Sequence, residues 1–268
     1  MIKELDRYKQ ELIKDELAQN TIDKYVRDVE LFYDFLNKNN MKLGKNELIA
    51  YKKDLETRFK PSTVNNKIIT INKYLKFIDK DKLCLKAIRE QTKNHSEAMT
   101  QNDFERIMRQ AKTRNLDRNV MMLDIFYFTG VRVSELQFFT VEAVKKGYMK
   151  IDNKGKIRTV PIPRKLQKEA KDYIKQNGIT TGAVILSRAG NPLSRFTIFK
   201  DMKYLAGQAR VKKSRVYPHS IRHLFAKNWL SKNGNNVLQL ADILGHESLE
   251  TTRIYTKLNI DELRKTME

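Results

Sequence analysis

Apolar positions recur with a helical period through the first third of the chain. Ile22, Tyr25, Val26, Val29, Phe32 and Leu36 fall on one face of a helix that Thr21 is placed to cap. Asn46 is placed to cap a second helix, through Leu48, Tyr51 and Leu55. Pro61-Ser62 opens a third, with Val64, Ile68, Ile71, Leu75 and Ile78 on one stripe. These residues read as core and carry no chemical role. A bundle of helices is expected, starting almost at Met1. From Lys80 to Glu97 charges are frequent and no period holds, which reads as a linker.

The pattern then changes. Thr100 is placed to cap a new helix with Phe104, Ile107, Met108 and Ala111 facing inward. Val120 to Phe128 reads as a buried helix that Gly130 ends in a left-handed turn. Tyr148 to Asp152 and Lys156 to Ile162 alternate around Asn153-Lys154-Gly155, the signature of a β-hairpin. The expected fold is mainly α with a small β-hairpin. The expected domains are a helical one over residues 1–95 and a mixed, mostly helical one over residues 96–268.

Composition adds a partner class. The chain has 268 residues, 40% apolar and 32% charged, which suits two globular domains. Lys+Arg number 53 against 32 Asp+Glu, a formal charge of +21. Such a balance favours a polyanion, either nucleic acid or an anionic membrane. No apolar run reaches the length of a bilayer span, and the N-terminus lacks an apolar signal core. One cysteine, Cys84, rules out an internal disulfide and a zinc site of several thiolates. A cytoplasmic protein that meets nucleic acid is therefore expected, against the plainer alternative of a merely solvated basic surface. Residues 96–268 carry +15 of the excess and residues 1–95 carry +6.

Three segments hold candidate chemistry. His219 and His223 are four apart and share a helix face, as a metal pair would. The zinc-protease pattern needs Glu after the first His, whereas this chain has Ser220, and no carboxylates cluster nearby. A phosphate clamp fits better: Pro218 suits a first helical turn, so His219 and Arg222 lie together near a helix N-terminus. The alternative is a capping His219 and an Arg222 paired with a carboxylate. In the second segment, Arg132 projects from a tight junction after Gly130, and Glu135 is placed to hold its guanidinium. An ordinary Arg–Glu pair is the alternative there. In the third, Gly245 ends a helix, Ser248 is placed to cap the next, and Tyr255 falls late on it, with His246 in the intervening turn. Spacing alone does not distinguish Tyr255 from a core tyrosine, one of 11 in the chain.

Taken together, four runs resemble the tyrosine recombinase, or phage integrase, family. They are Thr-Gly-Val-Arg132-Val-Ser-Glu135-Leu, the hairpin Asn-Lys154-Gly-Lys-Ile-Arg-Thr-Val-Pro, Pro-His219-Ser-Ile-Arg222-His, and Leu-Gly-His246 followed nine residues later by Tyr255. Each is weak to moderate alone, but four in the family's order are specific. The resemblance spans about residues 97–260, and the N-terminal helices are similar to the family's core-binding domain.

The resemblance implies a mechanism. Tyr255 would attack the scissile phosphate, form a 3′-phosphotyrosine and release a 5′-hydroxyl. A second 5′-hydroxyl would then reverse the bond, with no cofactor, metal or ATP. Arg132 and Arg222 would hold the non-bridging oxygens, and His246 would hydrogen-bond the same phosphate. Lys154 would protonate the leaving oxygen, and His219 would assist proton transfer at the tyrosine. Glu135 would support Arg132. The hairpin turn is about one residue shorter than in many relatives, so Lys156 competes with Lys154, and alternation puts both on one face. The implied partners are double-stranded DNA with inverted half-sites and a homotetramer in the synaptic complex, with a monomer in solution admissible. A type IB topoisomerase-like enzyme and a non-catalytic DNA-binding protein are the other readings. The small helical N-domain and the His-x-x-Arg run favour recombination over the first. The complete set of candidate side chains stands against the second.

Overall fold

The computed structural model describes residues 2–89, 99–153, 156–234 and 236–245. The expectations for Lys154, His246, Ser248 and Tyr255 lie outside the described residues. The chain divides into two compact units, Met1–Lys93 and Asn94–Glu268.

The first unit packs four helices: α1 (Ile2–Lys14), α2 (Gln19–Lys38), α3 (Lys45–Arg58) and α4 (Pro61–Phe77). Ile22, Val29, Phe32 and Leu36 bury one face of α2 against Leu48, Tyr51 and Leu55 of α3 and Val64, Ile68, Ile71 and Leu75 of α4. Each such side chain contributes ~1.5–3 kcal/mol on burial. An aromatic group closes the core, with the rings of Tyr8 and Tyr74 edge to face at 5.1 Å.

Two caps differ from expectation. Helix α2 starts earlier, with extended Ala18 as its N-cap, so Thr21 lies inside the first turn. There Gln19 donates to Asp23 at 2.7 Å, which holds the added turn. Gly44, also extended, caps α3 in place of Asn46. Pro61 stands at the start of α4, where its missing N–H costs nothing.

The expected linker also begins too early. Leu85 is buried in the first core, and Ile88 packs against it. The Asn72 side chain donates to the Leu85 carbonyl and accepts from its amide, both at 2.8 Å. Asn65 does the same for Ile88, at 2.9 and 2.7 Å. Seven helical residues rise about as far as three extended ones, roughly 10 Å, so the two asparagines match the spacing of Leu85 and Ile88. Lys45 and Lys52 bind further carbonyls of this segment, those of Cys84 and Lys86.

The second unit is mostly helical. It contains α5 (Gln101–Thr113), α6 (Asp117–Thr129), α7 (Val141–Lys146), β1 (Tyr148–Asn153), β2 (Lys156–Pro161), α8 (Arg164–Gln176), α9 (Arg195–Gln208), α10 (Pro218–Lys232) and α11 (Val237–Leu244). Thr100 and Asp103 form a reciprocal capping box on α5. Phe104, Ile107, Met108 and Ala111 are buried as the pattern predicts. The strands pair antiparallel from Tyr148 with Pro161 to Asn153 with Lys156, so Asn153 belongs to the strand rather than the turn. Met149, Ile151 and Val160 face the core, while Ile157 points outward. A smaller cluster of Phe225, Ala226, Leu230, Leu240 and Leu244 joins α10 to α11.

Candidate active site

Gly130 ends α6 in the left-handed region, at φ 62°, and its α-carbon lies against the Phe225 ring, where a Cβ would collide. This close approach brings α6 onto α10. The chain then turns through Val131, and Arg132 precedes a 3-10 turn over Val133–Phe138 rather than an α-helix. Glu135 folds back on that junction. Its carboxylate accepts from the Arg132 amide at 2.7 Å and from the Arg132 guanidinium at 2.9 Å. The expected Arg132–Glu135 contact is therefore present.

Arg158, on β2, was not among the expected site residues. It donates through both Nη atoms to the two oxygens of Glu135, at 3.0 and 2.7 Å. The Glu135 side chain is 3% exposed, that of Arg158 14% and that of Arg132 31%. Burial alone would raise the Glu135 pKa. Hydrogen bonds from Arg158, then from the amide and guanidinium of Arg132, outweigh it and hold the carboxyl at about 2. The available signal was alternation: Arg158 shares a strand face with buried Val160, an unusual place for an unpaired cation.

Arg222 is the largest fully buried side chain of the described residues. Pro218 and His219 open α10, and Arg222 follows one turn later. Its guanidinium donates to the Gly130 carbonyl at 2.7 Å and to the Leu244 carbonyl at 2.8 Å. Arg132 donates to the Gly245 carbonyl at 2.9 Å, and Arg158 to the Ile243 carbonyl at 3.2 Å. Three guanidiniums from three separate segments thus reach three consecutive carbonyls. These carbonyls end α11, where the helix dipole is negative and main-chain acceptors lack helical partners. Gly245, at φ 63°, closes the helix as expected, immediately before His246.

His219 is exposed, and its ring stands edge to face with that of His223 at 5.1 Å. Partial desolvation, then the charges of Arg222 and Arg132, lower its pKa below 6.5. The neutral imidazole is thus favoured beside two cations. Among the described residues no three His, Cys, Asp or Glu side chains are grouped to hold a metal ion. The structure therefore brings together Arg132, Arg222 and His219, with Glu135 and Arg158 behind them. The side chain of Lys156 is outside what is described.

An arginine cluster on this scaffold, α-helical with one hairpin, defines a class. The phage integrase family model matches residues 97–262, and the N-terminal SAM-like domain of phage integrases matches residues 5–82. The chain belongs to the phage integrase, or tyrosine recombinase, family. It is 36% identical over 157 residues to the tyrosine recombinase XerD of Staphylococcus saprophyticus, covering 55% of this chain and 52% of that one. It is 34% identical over 164 residues to the tyrosine recombinase XerA of Pyrococcus furiosus, covering 59% and 55%. These two matches span about half the length of each relative. The XerD of Staphylococcus aureus is 27% identical over 277 residues, covering 94% and 92%. The fold is that of lambda integrase bound as a dimer to a COC′ core site, with a TM-score of 0.77 at 14% identity over 97% of this chain and 99% of that one. It is also that of the XerH recombinase in a post-cleavage complex, with a TM-score of 0.75 at 19% identity over 93% and 80%.

Proposed function

We propose that the chain is a site-specific recombinase that cuts and rejoins DNA through a covalent 3′-phosphotyrosine. One observation carries most of this reading. Arg132 and Arg222 converge on the carbonyls of Gly245 and Leu244, with the charges of both felt at His219, and in sequence His246 follows at once and Tyr255 nine residues later.

In this reading the Tyr255 hydroxyl attacks the phosphorus and the bond to the 5′-oxygen breaks. Lys154 protonates that oxygen, with Lys156 as the competing donor. His219, neutral near pH 7, accepts the phenol proton. Arg132 and Arg222 meet the negative charge that grows on the non-bridging oxygens, and His246 donates to one of them. Phosphoryl transfer depends mainly on such positioning and charge compensation. A phenol has an unperturbed pKa of ~10, so a poised acceptor and cationic neighbours are needed near neutrality. A second 5′-hydroxyl then attacks the phosphotyrosine and restores a phosphodiester. The bond energy is conserved, so ATP is not required.

The substrate is double-stranded DNA with inverted half-sites, held in a homotetramer at synapsis. XerH and lambda integrase are described in complexes with DNA, which supports a DNA partner here. No helix among the described residues is long and apolar enough to cross a membrane, in keeping with a cytoplasmic site of action. Recombination is favoured over topoisomerase activity because the relatives reported above are recombinases and integrases.

The test is a denaturant-stable adduct between the protein and a nicked duplex carrying inverted repeats from beside the gene, in EDTA. Wild type is expected to form it and Tyr255→Phe to form none. An adduct that persists in Tyr255→Phe would refute the nucleophile assignment.

A further inference from the structure

We infer that Arg158 is a positioning residue, holding Glu135 and the Gly245 turn so that Arg132 keeps its place and its charge for the scissile phosphate. The inference rests on the recombinase reading of the site.

Three observations support it. First, Arg158 occupies both oxygens of Glu135 in a fork, the strongest arrangement available to this pair. Arg132 uses one guanidinium N–H on the same carboxylate. Glu135 is thus charge-paired from behind by Arg158, and the more exposed Arg132 retains attraction for an incoming anion. Without Arg158, the carboxylate would be left to Arg132 alone.

Second, Arg158 also sets the turn. Its Nε reaches the Ile243 carbonyl, and its side chain lies flat against Gly245. A Cβ on Gly245 would sit 2.7 Å from Arg158 Cδ and 2.9 Å from Cζ. The turn before His246 therefore rests on this guanidinium.

Third, Arg158 does not compete for the ligand. Its side chain is less than half as exposed as that of Arg132. A lysine cannot replace it, because a point charge on a flexible stem cannot span both oxygens and the Ile243 carbonyl.

The test uses the full chain and the nicked duplex, with Arg158→Lys. Arg158→Lys keeps the charge and is expected to fold. It should bind the duplex within about twofold of wild type but form the adduct at least roughly tenfold more slowly. When the scissile phosphate is replaced by an uncharged methylphosphonate, the gap to wild type should close, since Arg132 then has no charge to meet. A wild-type rate for Arg158→Lys would overturn the inference. So would a rate gap that persists on the methylphosphonate, as a merely structural role requires.

Should wild type itself form no adduct, the recombinase reading fails and positioning is read separately. Amide exchange over residues 240–245 should then be faster in Arg158→Lys than in wild type, with α5 unchanged. Equal exchange in the two proteins would overturn the inference on its own.

Discussion

Arg222 ties the last carbonyl of α11, that of Leu244, to the carbonyl of Gly130 at the end of α6, with bonds of 2.8 and 2.7 Å. A guanidinium buried to 1% exposure thus joins two helix ends that are 114 residues apart in sequence. Its removal leaves both carbonyls without that donor in a place water reaches poorly. Arg222→Ala should lower stability by ~3 kcal/mol or more, even without DNA. Arg132→Ala should cost only ~1 kcal/mol, because its side chain is about a third exposed. Urea unfolding of the two variants decides this. A loss of ~1 kcal/mol or less for Arg222→Ala, no larger than that of Arg132→Ala, would mean that Arg222 does not hold the two helix ends together.

Glu135 gives the domain an acid-sensitive joint. Its carboxyl falls from an ordinary 4.5 to about 2 on folding. A depressed carboxyl stabilises the folded state above the unfolded pKa and loses that contribution as pH falls through the folded pKa. The window here is pH 4.5 down to 2, and the contribution is ~3 kcal/mol. Glu142 is also lowered to about 2, first through the Thr181 hydroxyl, and titrates in the same window. The comparison is therefore with Glu135→Gln. Stability of wild type should fall more steeply below pH 4.5 than that of the variant, as measured by urea midpoints. Parallel curves would show that Glu135 does not carry the slope.

Local signals were legible in the sequence and distant ones were not. Pro218, Thr100 and Gly130 act within a turn of their own position, so their roles follow from spacing. The Arg132–Glu135 contact is equally local, at three residues. Thr21 and Asn46 misled because a good cap residue is not used when the helix gains an earlier turn. Arg158 was missed because its partners are Glu135, 23 residues away, and Ile243, 85 residues away. Periodicity shows that Arg158 faces inward, but not what awaits it. The destinations of the Arg132 and Arg222 guanidiniums on α11 were hidden for the same reason.

His219 should titrate below the ordinary 6.5. Partial desolvation and the two arginines disfavour its imidazolium, so the neutral form persists to lower pH than usual. With His219 accepting the tyrosine proton, adduct formation should fall with acid at a lower pH than an ordinary histidine would give. The ring-proton shift of His219, followed by NMR, gives the midpoint directly. A midpoint at or above 6.5 would contradict the placement of the two guanidiniums beside it.

The segment around Leu85 and Ile88 offers the last test, and it concerns where the link between the units begins. Asn72 closes two hydrogen bonds on Leu85 and Asn65 two on Ile88, giving main-chain groups of this irregular segment partners that a sheet or helix would otherwise supply. At ~1 kcal/mol per net bond, Asn72→Ala should cost the first unit ~1–2 kcal/mol. Asn72→Asp should cost more, because a carboxylate cannot donate to the Leu85 carbonyl and instead repels it. The amides of Leu85 and Ile88 should be protected from exchange in wild type. In the Asn65→Ala, Asn72→Ala double variant that protection should vanish while the Val29 and Ile68 amides keep theirs. Unprotected Leu85 and Ile88 amides in wild type would place the start of the link at the end of α4, as the unpatterned charges from Lys80 onward suggest.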